Sequence, residues 1–387
     1  MLMMADAPIK DRGRIAVRFS PGDRASLPDR NEWAALAADA KEPNAFYERW
    51  FLAPALEYLK QGHAVRIAEA RDEDGELIGL LPLTLANRYG RVPARHTSNW
   101  SHYQCFMGTP LIADGAETEF WTSLILALDA SDWAAGFFTQ TGLLEDGPVH
   151  RGLIAAAAAL GRPCPVVFAY DRAALAGDGD PQAYLDASIR PKKRKELRRL
   201  SNRLREAGAV SFASLERADQ IDAWCVEFLM LEAAGWKGAR GAALGNAPET
   251  SSFFRDIVSG AFSADKLDFQ RLSLDGRAIA MLVNFRTPPG SWSFKIAYDE
   301  TLARFSPGVM IELENLARVL GDPTLDWMDS CAVENHPMID RLWMERRRII
   351  QVSVPLAGAS RRLVYNACRA AETASAKLRA VLKREAW

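Results

Sequence analysis

The sequence has no CxxC pair, no HExxH and no Cys/His knuckle. Its five cysteines, Cys105, Cys164, Cys225, Cys331 and Cys368, are scattered and odd in number. That excludes a disulfide framework and predicts free thiols in a reducing cytoplasm. The five histidines, His63, His96, His102, His150 and His336, also lack metal spacing, so no metal is expected. There is neither a Gly-Lys-Ser/Thr phosphate loop nor a GxGxxG fingerprint. No run reaches the roughly 18 to 20 apolar residues of a membrane span. The longest candidate, Gly152 to Gly161, reads as a buried helix. The opening MLMMADAPIKDRGR has an early acid and no long apolar core, so it is not expected to be a signal peptide. Net charge is nearly absent too: 48 Lys plus Arg against 49 Asp plus Glu leave −1. This excludes a surface that is basic all over, but not a local basic patch.

What is present points to folded α/β structure. The 387 residues are 49% hydrophobic and 25% charged, enough to bury substantial cores. At roughly 150 residues per domain, two domains are expected. Residues 1–30 read as an irregular lead-in with one short strand, IAVRF. VRIAEA and LIGLLPLTL flank an Asp-Gly turn and predict a β-hairpin. Helix, strand, helix and strand follow, as far as PCPVVFAYD. The Gly/Asp-rich stretch Ala173 to Asp180 reads as a linker.

Beyond it, one helix is expected from about Pro181 to Ala207, ending at Gly208. Leu197, Leu200 and Leu204 give it an apolar side, and nearly every polar residue from Arg190 to Arg205 is basic. LDFQRLSLD, RAIAMLVNF and SWSFKIAYD then read as three strands joined by DG and TPPG turns. Strict alternation places Trp292, Phe294, Ile296 and Tyr298 on one face of the third strand, and Ser293, Lys295, Ala297 and Asp299 on the other. Ser306 is expected to cap a helix that starts at Pro307 and ends at Gly321. Its expected apolar stripe is Val309, Leu313, Leu316, Ala317 and Leu320. LDWMDS, HPMIDRLWM and RRRIIQVSVPL read as strand, short helix and strand. DGELIGLLPL and DGRAIAMLVN open the same element order in the two halves. Either tandem duplication or shared hairpin syntax accounts for that.

Three segments together resemble a known family. They are the basic helix SIRPKKRKELRRLSNRLREAG with the strand VSF, the stretch LEAAGWKGARGAALG, and the run from LDFQRLSLDGRAIAMLVNF to WMDSCAVENHPMIDRLWMERRRI. They resemble the GNAT acyltransferases, in particular the bacterial CelD-like acetyltransferases named for cellulose biosynthesis, which are related to the FemAB-like transferases. The resemblance spans roughly residues 185–355; the N-terminal half matches only as a degenerate second unit. It implies tandem GNAT-like α/β (α+β) units with mixed, mainly antiparallel sheets flanked by helices. The implied divisions are 1–180 (degenerate unit), 181–357 (catalytic unit) and 358–387 (helical tail). It also implies acetyl-CoA or another acyl-CoA as co-substrate, no metal, and an amine acceptor such as an amino sugar or polysaccharide precursor.

The residues can be weighed for that chemistry. A helix start offers free N–H groups and partial positive charge to a pyrophosphate. This makes Ser306, Pro307, Gly308, Val309 and Met310 the candidate phosphate turn. In GNAT proteins the corresponding turn is Q/R-x-x-G-x-G/A, whereas this chain has one glycine and a proline. In this fold the strand before the turn lies beside the thioester, so the Ile296, Ala297 and Tyr298 backbone is expected to polarise its carbonyl. An attacking amine must lose a proton, for which Asp329 and Glu232 are the candidate bases, with Glu334 and His336 as further possibilities. Tyr298 can protonate the leaving thiolate or simply pack. Trp236 either clamps the acceptor or plugs the core. Lys237 and Lys295 can hold an acceptor phosphate or carboxylate, and Lys295 can equally pair with Asp299. His336 either contacts the acceptor or caps the next helix.

The basic helix over 190–205 is a solvated face or an anion site, for the CoA 3′-phosphate, a nucleotide sugar or anionic lipid. Nucleic acid is not expected, because no aromatic interleaves the basic residues. The exception is transfer RNA, if the chain is a FemAB-type aminoacyl-tRNA-dependent transferase. A non-catalytic GNAT scaffold is the second alternative. The expected location is cytoplasmic, with peripheral membrane contact through the basic helix.

Overall fold

Local periodicity accounts for most of the elements. The computed structural model describes residues 14–176 and 179–384, with side-chain surroundings as far as residue 374. The opening segment to residue 13, read above for a signal peptide, and the middle of the expected linker lie outside the described residues. The first elements are β1 (Ala16–Pro21), α1 (Arg30–Asp39), α2 (Arg49–Tyr58), β2 (Arg66–Arg71), β3 (Leu77–Ala86) and β4 (His96–Asn99). Then come β5 (Leu111–Ile112), α3 (Glu117–Ala130), β6 (Phe137–Leu144), α4 (Pro148–Ala159) and β7 (Val166–Ala176). The second half holds α5 (Pro181–Ser188), α6 (Pro191–Glu206), β8 (Val210–Ser214), α7 (Ile221–Ala234), α8 (Trp236–Ala239) and α9 (Pro248–Ser263). It continues with β9 (Leu267–Leu274), β10 (Arg277–Thr287), β11 (Gly290–Tyr298), α10 (Pro307–Leu320), β12 (Trp327–Asp329), β13 (Glu345–Pro355) and α11 (Ala359–Arg384).

The chain forms two compact units, and neither is one continuous stretch. The first takes the residues up to Tyr47, Gly62–Ala169 and those from Ile349 on; the second takes Glu48–Gln61 and Tyr170–Arg348. In the first, β1, β2, β3 and β4 are joined antiparallel, β4 pairs parallel with β6, and β6 pairs antiparallel with Ile349–Pro355 of β13. In the second, β8, β9, β10 and β11 are joined antiparallel, β11 pairs parallel with β12, and β12 pairs antiparallel with Ala174–Ala176 of β7. The strand senses match step for step, each with a helix (α3 or α10) before the parallel strand. This is a tandem α/β arrangement of mixed sheets flanked by helices. The closing strand of each unit comes from the other half of the sequence.

The second unit carries the residues singled out above. One face of its sheet packs against α6 and α10, where Leu197, Leu200, Leu204, Phe305, Met310 and Ile311 join Leu272, Ala280 and Leu282. Each fully buried leucine contributes about 1.5–3 kcal/mol. The other face packs against α2, α7 and α9. There Phe51 meets Phe253, Phe285 and Phe294 at 5.3, 5.9 and 5.8 Å, and Phe228 stacks on Phe254 at 4.9 Å.

Several sequence expectations give way. Ala173–Ala176, read as the start of a linker, is the inner end of β7, and Ala173–Leu175 are buried. The single helix over 181–207 is two helices, because Pro191 holds Arg190 out of the helical region (φ −53°, ψ 142°). The glycine-rich loop after α7 contains the short helix α8, and the helix expected in HPMIDRLWM is one tight turn, Ile339–Arg341. Along α10 the buried face is Met310, Ile311, Glu312, Asn315, Leu316, Val319 and Leu320, so two polar residues face inward.

The strict alternation along β11 also fails. Asn284 faces Ser293, but its neighbour Val283 faces Lys295, leaving Phe294 as a bulge. The bulge resets the alternation. Phe294 and Lys295 both face the α7 and α9 side, while Ile296 and Tyr298 turn to the α10 side, opposite Leu282 and Ala280.

Candidate active site

The site begins where two strands stop pairing. β12 ends at Asp329, opposite Trp292, while β11 runs on to Tyr298. On that side Ser293–Tyr298 has no strand partner among the described residues. Backbone amides and carbonyls of a parted strand are available to something other than a sheet. Asp299 ends the strand by accepting from Thr301 N–H (2.9 Å), and one tight turn, Glu300–Phe305, leads into α10.

The α10 start is built differently from expectation. Ser306 occupies the cap position in the left-handed region (φ 53°, ψ 54°), and its hydroxyl makes no capping bond. A capping side chain normally sits on extended backbone, which this conformation forgoes. Instead the Ser306 carbonyl accepts from Val309 N–H (3.0 Å) and Met310 N–H (3.1 Å). Pro307 presets the first turn and Gly308 is buried. A Cβ on Gly308 would stand 3.0 Å from Cδ1 of Tyr298, so the glycine lets the helix start close against that ring.

On the other side of β11 lies a charged cluster. Glu232, on the last turn of α7, is buried, and each of its oxygens is used. Oε1 accepts from Lys237 Nζ (3.1 Å) and Oε2 from Leu244 N–H (2.8 Å). Lys237 Nζ also donates to the Ile296 carbonyl (3.0 Å), which ties α8 to β11. Gly238 permits this fold-back, since a Cβ there would fall 1.8 Å from the Ala233 carbonyl oxygen. Lys295 lies in the field of Lys237, Glu232 and Cys331; burial, reinforced by Lys237, pulls its ammonium pKa down to about 8. The bulge at Phe294 is what turns Lys295 into this cluster. Asp299 pairs with Arg277 (2.8 Å) rather than with Lys295.

Trp236 is 48% exposed, which removes the core-plug alternative. Its backbone N–H donates to Glu300 Oε1 (2.8 Å), and the Arg240 guanidinium sits 5.2 Å from its ring centroid. His336 Nδ1 accepts from Ile339 N–H (3.4 Å), the capping arrangement, and burial lowers its pKa. Asp329 is fully buried. Oδ1 lies 2.7 Å from Arg172 Nε and accepts from Cys331 N–H (2.9 Å), and Oδ2 accepts from Arg172 Nη2 (2.8 Å), with Arg347 Nε at 3.5 Å. Arg347 also lies 3.8 Å over the Trp327 ring.

The structure therefore gathers Glu232, Lys237, Lys295 and the Ile296 carbonyl on one side of β11. It places Tyr298 with Ser306, Pro307, Gly308, Val309 and Met310 on the other, and gives Ala297 to the Lys295 side, opposite Met281. Sequence reasoning missed Arg172, Arg347 and Cys331. Cys331 takes a left-handed backbone (φ 53°) beside Asp329 and is a common electrostatic neighbour of Arg172 and Lys295. Arg172 had no local signal, because its partner lies 157 residues away.

This is an α/β fold with a mixed sheet whose parallel pair parts beside a helix start. Residues 191–332, from α6 to just past β12, match the acetyltransferase (GNAT) domain family. Among solved structures, FemX aligns with a TM-score of 0.54 at 9% identity, covering 84% of this chain and 96% of that one. A conserved protein of unknown function from Bacteroides thetaiotaomicron VPI-5482 aligns with a TM-score of 0.54 at 12% identity, covering 84% and 98%. A tandem GNAT protein from the clavulanic acid biosynthesis pathway aligns at 17% identity over 87% and 98% of the two chains, with a TM-score of only 0.44. At these identities the likeness is one of fold. No curated protein matches the sequence. The similarity to the acetyltransferase (GNAT) domain family therefore falls on residues 191–332, within the second unit.

Proposed function

We propose that the second unit transfers an acyl group from acyl-CoA, with acetyl-CoA the first candidate, to an amine. The observation that carries this reading is the parting of β11 from β12 directly before the α10 start. An extended thioester arm would lie along Ser293–Tyr298, with its pyrophosphate at Gly308 and its carbonyl oxygen receiving backbone N–H groups of Ile296–Tyr298. Tyr298, packed against Gly308, stands on the donor side and would return a proton to the leaving thiolate.

The base role expected of Asp329 and Glu232 moves to Lys295. Both carboxylates already accept from buried partners, and Asp329 is sealed behind Arg172. Lys295 instead loses its proton near pH 8, so a useful fraction is neutral under ordinary conditions. The local positive field of Lys237 also favours a neutral, attacking acceptor amine. Glu232 and Lys237 then act as positioning residues, and Trp236 as the exposed wall of the acceptor side. The transfer forms an amide and releases a thiol, with no covalent enzyme intermediate.

An amino sugar or polysaccharide precursor is the acceptor that the CelD-like resemblance favours. Melting curves with acetyl-CoA, longer acyl-CoA and aminoacyl-tRNA test the donor. Stabilisation by a CoA ester is expected. Stabilisation by aminoacyl-tRNA alone would replace this reading with the FemAB-type one, and no response to any donor would leave only a non-catalytic scaffold.

A further inference from the structure

We propose that the outer side of α6 is a docking surface for anionic lipid bilayers. The helix is anchored along its length by Leu197, Leu200 and Leu204, which are buried in the core beneath it. Its outward side carries Lys192, Lys195, Arg198, Arg199, Arg203 and Arg205, all exposed and without a carboxylate partner among the described residues. The remaining basic pair is neutralised: Lys193 bonds Glu196 (3.0 Å) and Arg194 bonds Asp186 (2.7 Å). Six cations thus run along about 20 Å of helix with one acid, Glu206, exposed among them.

The geometry selects the partner. The phosphates of one small ligand would engage only part of so long a band. A groove of duplex nucleic acid needs a helix that protrudes, and α6 lies flat with its inner side buried. Single-stranded nucleic acid needs stacking rings, and α6 has no aromatic residue. A flat field of negative headgroups fits a straight, flat-lying cationic face. Phe212, 43% exposed on the edge strand β8 that follows α6, is paired with Leu272 and so shares this sheet face. It offers an apolar contact beside the basic band.

The test is vesicle co-sedimentation of the full chain. Phosphatidylcholine vesicles are compared with the same vesicles containing phosphatidylglycerol, for the wild type and for the triple variant K192E/K195E/R199E. The wild type should bind only the phosphatidylglycerol vesicles and be released at about 0.5 M salt. The variant should bind at least about 100-fold more weakly, at roughly fivefold or more per basic residue. Its circular dichroism and its thermal response to acetyl-CoA should be unchanged, since the three buried leucines are untouched. Absence of wild-type binding would overturn the proposal. So would equal binding by the variant, or tighter binding of the wild type to a duplex RNA than to the vesicles. A variant that fails to fold is replaced by R198Q/R199Q/R203Q, for which the same loss is required.

Discussion

Replacing Asp329 by Asn separates a structural carboxylate from a catalytic one. The change is nearly isosteric, but it removes the carboxylate charge that faces Arg172 at 2.7 and 2.8 Å and turns one acceptor oxygen into a donor. Both partners are buried, at 1% and 0% side-chain exposure, so the guanidinium cannot recover water in compensation. Breaking a buried pair by removing one member costs about 3–5 kcal/mol. At about 2–4 °C per kcal/mol for a domain of this size, melting should fall by roughly 6–20 °C. Removing both members, as Arg172→Met with Asp329→Leu, should recover part of that loss, because the buried Arg172 charge is no longer orphaned, while Arg347, 13% exposed, still loses its carboxylate. The assay is thermal melting by near-ultraviolet circular dichroism, alongside the rate of acetyl transfer from acetyl-CoA to amino-sugar acceptors. The reasoning is refuted if Asp329→Asn melts within about 2 °C of the wild type yet loses the ~10² to 10⁴ in rate typical of a general base.

The other predictions follow the remaining buried charges and the cofactor turn. Lys295 is depressed to about 8 in the folded chain, so the unfolded chain binds the extra proton between about 8 and the ordinary lysine value. Its burial penalty is full below pH 8 and fades as pH rises. Lys295→Met should therefore raise the melting temperature at pH 7, and the gain should shrink above pH 9; a constant gain would contradict the assignment. Activity should rise with pH around 8 in the wild type, and Lys295→Arg should abolish that limb. Burial raises Glu312 to about 7, so here the folded chain holds the extra proton and stability declines as pH climbs from the ordinary carboxylate range through 7. Glu312→Gln should be stabilising at pH 8 and nearly neutral at pH 4, as read by melting curves at both pH values. Gly308→Ala should push Tyr298 by the few tenths of an ångström that a 3.0 Å approach demands. It should weaken acetyl-CoA binding less than Gly308→Asp, which also adds a repelling charge; titration calorimetry orders the two.

The elements set by neighbours in sequence were legible. The hairpins, the start of α10 at Pro307 and the leucine side of α6 follow from Asp-Gly turns, Ser-Pro-Gly and helical spacing. What depended on distant partners was not. Phe294 bulges because of its register against β10, and no residue in SWSFKIAYD announces it. That single bulge moved Lys295 from an expected partner, Asp299, to the Glu232 and Lys237 cluster. Ala173–Ala176 reads as part of a linker because of the Gly/Asp-rich residues that follow it, yet Ala174–Ala176 pairs with Trp327–Asp329, far along the chain. Glu312 and Asn315 lie outside the expected apolar stripe of α10. They are buried because Asn315 bonds Gln270 (3.1 Å) and Asn284 (2.9 Å) on the strands beneath. Gly308, Tyr298 and Lys237 stand out in the local sequence, while the electrostatics of the candidate site come from pairings that only the fold supplies.

The most direct test of the central claim is a calorimetric titration of acetyl-CoA into the wild type and into Gly308→Asp. The account predicts saturable binding to the wild type and at least a tenfold weaker Kd in a variant that remains folded. Equal binding by the two proteins, or no binding by the wild type, would contradict it.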